Sequence, residues 1–289
     1  MAKTIIANRL AVMGLGLMGG SLAAVIKEKK VVNSVVAYAR RAETRRLAQS
    51  RCIVDKVYAR PEDAVQKADL VVFCTPVGTI VPLVKTCMPY FANNCLVTDV
   101  ASSKVRIVAE LEPLFKKSKA EFIGSHPITG SERYGLAAAC STLYENIVVI
   151  LTPPTCYDKS ALNRLKRFWQ SLGAEIRVSS AEEHDRLISR TSHLPHLVAA
   201  LLSSAVGRCP DKKIRDFCGT GFLDTTRIAD GSPQLWQDII SSNQNAVLEE
   251  LKMFQAQLTN LIKILKANQA SELNHFLSQS KIRRRKLKR

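Results

Sequence analysis

From Leu10 to about residue 178, short β-branched runs alternate with stretches whose apolar residues recur at helical spacing. The runs "LAVMG", "SVVAYA", "DLVVFCTP", "CLVTDV", "EFIGS", "NIVVILTP" and "EIRVSS" predict strands, most of them apolar on both sides of the pleat. Between them, "LMGGSLAAVIKE", "GTIVPLVKTCMPYF", "SKVRIVAELEPLF" and "SALNRLKRFWQSLG" predict helices. Strands that are apolar on both faces and separated by helices belong to a doubly wound, mostly parallel sheet covered on both sides. After "EIRVSS" the strand pattern stops. From Ala181 onward only helices are expected, interrupted by a Gly/Thr/Asp-rich connector, "GTGFLDTTRIADGSP", at 219–233.

Within the last part, Val247, Leu251, Phe254, Leu258, Leu261 and Leu265 recur at alternating spacings of four and three, an apolar seam with period 3.5. Such a seam needs a facing helix, and a second copy of the chain supplies one as readily as the chain itself. A homodimer joined through helical domains is the expectation. The predicted division is a mixed α/β domain over 1–178 and a helical domain over 179–289.

Composition leaves this picture intact. Of 289 residues, 46% are hydrophobic and 23% charged, which suits a folded globular chain and excludes a disordered one. No apolar run approaches the roughly 20 residues of a membrane span, and "MAKTIIANRL" lacks signal-peptide character, so a soluble cytoplasmic protein is expected. Eight cysteines are scattered without a CxxC pair, several inside apolar runs, which fits a reducing compartment better than disulfides or zinc. The net charge of +17 raises nucleic acid as a partner, but seven of the basic residues crowd into the final "KIRRRKLKR". A solvated terminus accounts for that tail, and a basic body also steers anionic cofactors and substrates.

Chemistry enters with "VMGLGLMGGSLA", where Gly14-x-Gly16-x-x-Gly19 joins the first strand to the first helix. Glycines are needed there for a tight turn, for close approach of backbone to a pyrophosphate and for helix–strand packing. Their place at the head of an alternating β/α region predicts a Rossmann-type dinucleotide domain. After the second strand the chain reads Arg40-Arg41 instead of the Asp or Glu that holds a ribose diol, so NADP is favoured over NAD. Glu43 supplies the competing reading, since it could reach a ribose hydroxyl.

Of five histidines, His126 follows a strand at the carboxyl edge of the sheet, where open α/β folds place ligands. "TSHLPHLVAALL" sets His193 and His196 three apart on one helix face, with no carboxylate or thiol at metal-ligand spacing. "LDTTRIADGSPQLW" offers Arg227, a ready carboxylate clamp, ahead of a proline-started helix.

Taken together and in order, the glycine loop, "TDVASSK", "GSHPITGSE", "SHLPH" and "DTTRIADGSPQLW" resemble the prephenate/arogenate dehydrogenases of tyrosine biosynthesis, over nearly the whole chain. The resemblance implies oxidative decarboxylation of a small anionic cyclohexadienol, prephenate or arogenate, with hydride transfer to NAD(P). It implies that His126 is the base that takes the hydroxyl proton, and that Ser102 hydrogen-bonds it beside the nicotinamide. By the same resemblance, Arg227 clamps a substrate carboxylate and His196 lines the substrate pocket. Ser131 and Glu132 stand at its mouth, Thr75 and Pro76 pass near the nicotinamide ribose, and Asp99 is mainly structural. The chain departs from the family's usual loop at Thr129 and Ser131, both still small residues. Competing readings are another two-domain reductase on this plan, such as a β-hydroxyacid dehydrogenase or an imine reductase, and a non-enzymatic dinucleotide- or nucleic-acid-binding protein.

Overall fold

The computed structural model describes residues 5–130 and 133–287. Six parallel strands form the main sheet: β1 (Ala7–Met13), β2 (Val32–Tyr38), β3 (Lys56–Tyr58), β4 (Leu70–Phe73), β5 (Leu96–Asp99) and β6 (Glu121–Phe122). Their order is β3-β2-β1-β4-β5-β6, so the chain winds outward in both directions from β1. The helices between and around them are α1 (Leu17–Lys29), α2 (Ala42–Ser50), α3 (Pro61–Val65), α4 (Val77–Cys87) and α5 (Val105–Phe115). This is the dinucleotide-binding topology, in which the reversal beside β1 opens a crevice at the strands' carboxyl ends. Strands β4 and β5 are buried along their whole length, as strands covered on both faces are; β4 is an unbroken apolar run, whereas β5 ends in the buried polar pair Thr98 and Asp99.

Two features differ from the sequence expectation. The short edge strand "KVY" carries too weak a pattern to read and forms only because Val36 to Tyr38 of β2 offer it a partner. The run "EFIGS" does not remain in the main sheet either. After Ile123 the chain leaves it as β7 (Gly124–Pro127), which pairs antiparallel with β8 (Val148–Thr152), itself parallel to β9 (Glu175–Val178). Gly124 permits the departure, because a Cβ there would stand 2.5 Å from Thr152 Oγ1. His126 consequently lies inside a strand of a second, three-stranded sheet, just beyond the carboxyl end of β6. Helix α6 (Lys159–Ser171), capped by Asp158, buries Phe168 and Trp169 in the same core as Val149 and Leu151.

The remaining elements are α7 (Ala181–Ile188), α8 (Leu194–Gly207), α9 (Thr220–Thr226), α10 (Pro233–Ser242), α11 (Gln244–Lys266) and α12 (Ala270–Lys286). A π turn over Ser189–His193 joins α7 to α8, so "SRTSHLPH" is not a uniform helix. The expected polar connector at 219–233 is mostly helical, with α9 running into a 3-10 turn at Arg227–Asp230. Its Thr225 and Thr226 hydroxyls donate to carbonyls four residues back, which lets threonines sit in a helix that propensity disfavours.

The chain divides into two compact units, Met1–Gln244 and Asn245–Arg289. The division falls later than the end of the strands at Val178 because α7 and α10 pack on α5 and α4 of the Rossmann layer. The second unit consists of α11 beyond Gln244 and α12. Along α11, Phe254, Leu258 and Leu265 of the period-3.5 seam are 40–57% exposed. Among the described residues, no helix is long and apolar enough to cross a membrane. Cys87 and Cys95 are the buried small hydrophobes expected of them, whereas Cys52, Cys140, Cys156 and Cys209 are exposed.

Candidate active site

The three glycines of the first turn divide their work by geometry. Gly14 adopts φ +103°, a left-handed conformation that strains any residue with a Cβ. At Gly19 a Cβ would fall 1.9 Å from the Gly14 carbonyl oxygen, so only glycine allows α1 to pack this closely on the turn. Gly16 caps α1, and a Cβ there would meet nothing within 4 Å. The open space lies at the N-terminus of a 13-residue helix that has no acidic residue in its first turn. Backbone N–H groups there fit a pyrophosphate.

Next along the crevice, Thr75 and Pro76 follow β4, and Pro76 caps α4. The Thr75 methyl group packs under Gly14, where an added Cβ would approach it to 2.7 Å. At the end of β2, Arg40 and Arg41 are exposed, whereas Arg45 folds back to donate to the carbonyls of Ala39 and Arg40 at 2.9 and 2.8 Å. Arg45 thus fixes the turn on which the two arginines stand.

Asp99, at the end of β5, organises the catalytic half of the crevice. Its carboxylate accepts from the backbone N–H of Ala101 at 3.0 Å and of Ser125 at 3.3 Å. One side chain therefore holds the residue before Ser102 and the residue before His126. The carboxylate also forms an ion pair with Lys104 Nζ, both side chains being wholly buried. Burial pushes the Lys104 ammonium below its ordinary pKa, and Asp99 opposes that shift. Ser125 is anchored further, since its hydroxyl shares a 2.6 Å bond with Thr98 Oγ1 and accepts from Trp169 Nε1 at 3.1 Å. Strand β7 is thereby fixed on three sides.

His126 is 8% exposed. Its Nδ1 lies 2.8 Å from Nε2 of His184, whose own Nδ1 lies 2.7 Å from Asp185 Oδ1. Asp185 Oδ1 also accepts from the Lys104 N–H at 2.7 Å, and its Oδ2 from the Val105 N–H at 2.9 Å, so this α7 residue caps the first turn of α5. Among the described residues no hydrogen bond joins Ser102 to His126; the partner of His126 Nδ1 is His184. Burial holds His126 well below the usual imidazole pKa, reinforced by His184, Lys104 and His193. Burial also lowers His184, against the pull of Asp185. His184 and Asp185 escaped the sequence reading because "EEHDR" looks like an ordinary polar helix start; an adjacent His-Asp pair directly after a serine cap was the only signal.

The helical side brings His193 and His196 together on Trp236 of α10. The His196 ring stacks on the indole, centroids 3.5 Å apart and planes 10° apart, and His193 meets it edge-on at 6.3 Å. Gly231 closes the turn against this stack, since a Cβ there would lie 2.5 Å from Trp236 Nε1. Asn243 Nδ2 donates to the Asp185 carbonyl at 2.8 Å and to His193 Nδ1 at 3.3 Å. Burial lowers the His193 pKa to about 4. Among the described residues, Thr75 Oγ1, His193 Nε2 and His196 Nδ1 are buried without a hydrogen-bond partner, the condition of groups that await a ligand or water. Arg227 stands exposed at the start of the 3-10 turn after α9. Ser131 and Glu132 lie outside the described residues.

Residues 22–178 match the family model described as the prephenate dehydrogenase nucleotide-binding domain, and residues 180–279 match its dimerization domain. The chain belongs to the prephenate dehydrogenase family. It is 31% identical over 280 residues to a cyclohexadienyl dehydrogenase of Zymomonas mobilis, covering 96% of this chain and 95% of that one. Its fold matches prephenate dehydrogenase from Aquifex aeolicus, solved in complex with hydroxyphenyl propionate and NAD+, at TM-score 0.91 and 30% identity, covering 97% and 98% of the two chains. Arogenate dehydrogenase from Synechocystis matches at TM-score 0.82 and 30% identity, covering 96% and 99%. Family membership makes the chain an NAD(P)-dependent oxidoreductase and removes the non-enzymatic reading.

Proposed function

We propose that this enzyme oxidatively decarboxylates prephenate or arogenate, with NADP as the preferred acceptor, and works as a homodimer in the cytoplasm. The observation that carries the reading is the grip of Asp99 on both Ala101 and Ser125, the chain neighbours of Ser102 and His126, at the carboxyl end of the main sheet. A nicotinamide cofactor, held by the glycine turn at Gly14 to Gly19 with Thr75 and Pro76 beside it, would supply the acceptor for the hydride of ring C4. His126 takes the proton of the C4 hydroxyl, and the ring gains aromaticity as carbon dioxide departs. A neutral imidazole suits that task, and burial keeps His126 neutral in ordinary buffers. Ser102 orients the hydroxyl or the nicotinamide, His196 and Trp236 form an apolar wall with one unpaired nitrogen, and Arg227 clamps a carboxylate. Residues 1–178 serve the cofactor; residues 179–289 serve the substrate and the dimer contact. The exposed seam of α11 supports that last assignment, because large apolar side chains repeated along one face need a partner.

The decisive test is a two-by-two assay of prephenate or arogenate with NAD or NADP, following reduced nicotinamide. Turnover with at least one pair is expected, and none with any pair overturns the proposal. Arg227→Ala is expected to raise the KM for substrate by about tenfold or more while changing kcat much less, the loss of a charge-assisted bond of roughly 1.5–3 kcal/mol. An unchanged KM removes the clamp. The double variant R40A/R41A is expected to raise the KM for NADP by about tenfold and to leave that for NAD within about twofold, because only NADP carries the 2′-phosphate. An unchanged NADP/NAD ratio assigns cofactor choice to other residues.

A further inference from the structure

Resting on the reading of His126 as the base, we propose that His184 and Asp185 are positioning residues that dictate which nitrogen of His126 is free to accept the proton. Asp185 takes two backbone N–H bonds at the N-terminus of α5, one on each oxygen, so both oxygens act as acceptors. An anionic carboxylate only accepts hydrogen bonds, so the proton between Asp185 Oδ1 and His184 Nδ1 belongs to the histidine. A neutral His184 then has a lone pair at Nε2. His126 must place its own single proton on Nδ1 to fill the 2.8 Å contact. Its Nε2 is left unprotonated, which is the condition of a base.

The same chain works after the proton has moved. Protonated His126 has N–H groups on both nitrogens, and the one on Nδ1 still donates to His184, behind which stands the Asp185 charge. No proton need pass beyond His126. The ring itself is held at 5.0 Å and 69° to the His184 ring, so the contact fixes orientation as well as tautomer. The groups facing the pair are Lys104 and Asp99 from the β5–α5 loop, Asp185 from α7, and His193 from the π turn. Lys104 adds a positive charge that disfavours a second proton on either ring. A structural histidine would need only to fill space and satisfy one bond; here its two nitrogens link an α-helix cap to a residue at the crevice.

The test compares His184→Leu, His184→Gln and His126→Asn in the full-length enzyme, together with ¹⁵N spectroscopy of the wild-type histidines. Glutamine can set its amide oxygen where Nε2 stood and accept from His126, whereas leucine cannot. Expected for His184→Leu is a kcat about tenfold or more below wild type, bounded by the factor of about 10²–10⁴ that a general base supplies, with both KM values within about twofold. His184→Gln is expected to recover most of that loss. The wild-type spectrum is expected to show Nδ1 of His126 protonated and Nε2 bare, and this readout needs no variant to fold. A wild-type kcat and pH profile in His184→Leu, or the opposite tautomer in the spectrum, overturns the proposal while an inactive His126→Asn leaves the base reading standing. If His126→Asn turns over normally, the base reading falls first and the positioning role falls with it.

Discussion

His126→Asn lowers kcat by at least about 10²-fold and leaves cofactor binding intact. Asparagine is the informative replacement because its amide N–H₂ can occupy the place of Nδ1 and still donate to His184 Nε2, so the buried partner remains satisfied. What disappears is the second nitrogen. If that nitrogen is the base, the enzyme loses the roughly 10²–10⁴ that positioned proton transfer contributes. Nucleotide affinity, measured by fluorescence titration, stays near wild type because the glycine turn at Gly14 to Gly19 is untouched. The pH profile carries the same information. His126 acts only when unprotonated, and burial holds its pKa well below 6.5, so the acid limb of kcat/KM lies below the usual imidazole range, with activity present above it. Near-normal turnover of the variant, or an acid limb at an ordinary histidine pKa that persists in it, removes His126 from the role.

Lys104→Met destabilises the fold by about 3–5 kcal/mol, a large part of the roughly 5–15 kcal/mol that such a domain has. Methionine is unbranched like lysine and one atom shorter, so the void it leaves is small. The ammonium it removes is the ion-pair partner of Asp99, and both side chains are wholly buried. Breaking one side of a buried pair leaves an uncompensated charge, and here the two remaining backbone donors to Asp99 come from Ala101 and Ser125. The stranded carboxylate either takes up a proton or draws in water, and each response loosens its grip on Ala101 and Ser125. A urea unfolding midpoint measures the loss. A change under about 1 kcal/mol would mean that the pair contributes no more than a surface salt bridge does. Activity is expected to fall along with stability, since the same carboxylate holds the two segments proposed to carry the chemistry.

The fold was legible in the sequence because its main signal is local. Most of the buried parallel strands carry an apolar run, most covering helices carry an apolar face, and Gly14-x-Gly16-x-x-Gly19 marks a turn suited to approach a phosphate. Where the signal was weak, structure depended on neighbours: "KVY" is a strand only beside β2, and "EFIGS" leaves the main sheet only because Gly124 lets it approach Thr152. The stretch 219–233 reads as a connector, yet most of it is helical, with the Thr225 and Thr226 hydroxyls satisfied by carbonyls four residues back.

For the site, sequence alone determined the residue types and their order: a glycine turn, a histidine after the last parallel strand, two histidines on a helix and an arginine after a polar segment. Those follow from spacing along the chain. The tertiary structure decided how they are held. Asp185 caps a helix about eighty residues earlier, His184 reaches His126 across 58 positions, and Lys104 is wholly buried against Asp99. Hydrogen bonds and ion pairs between distant segments leave no periodicity in a sequence, because the energy that fixes them comes from burial and exists only once the layers have packed.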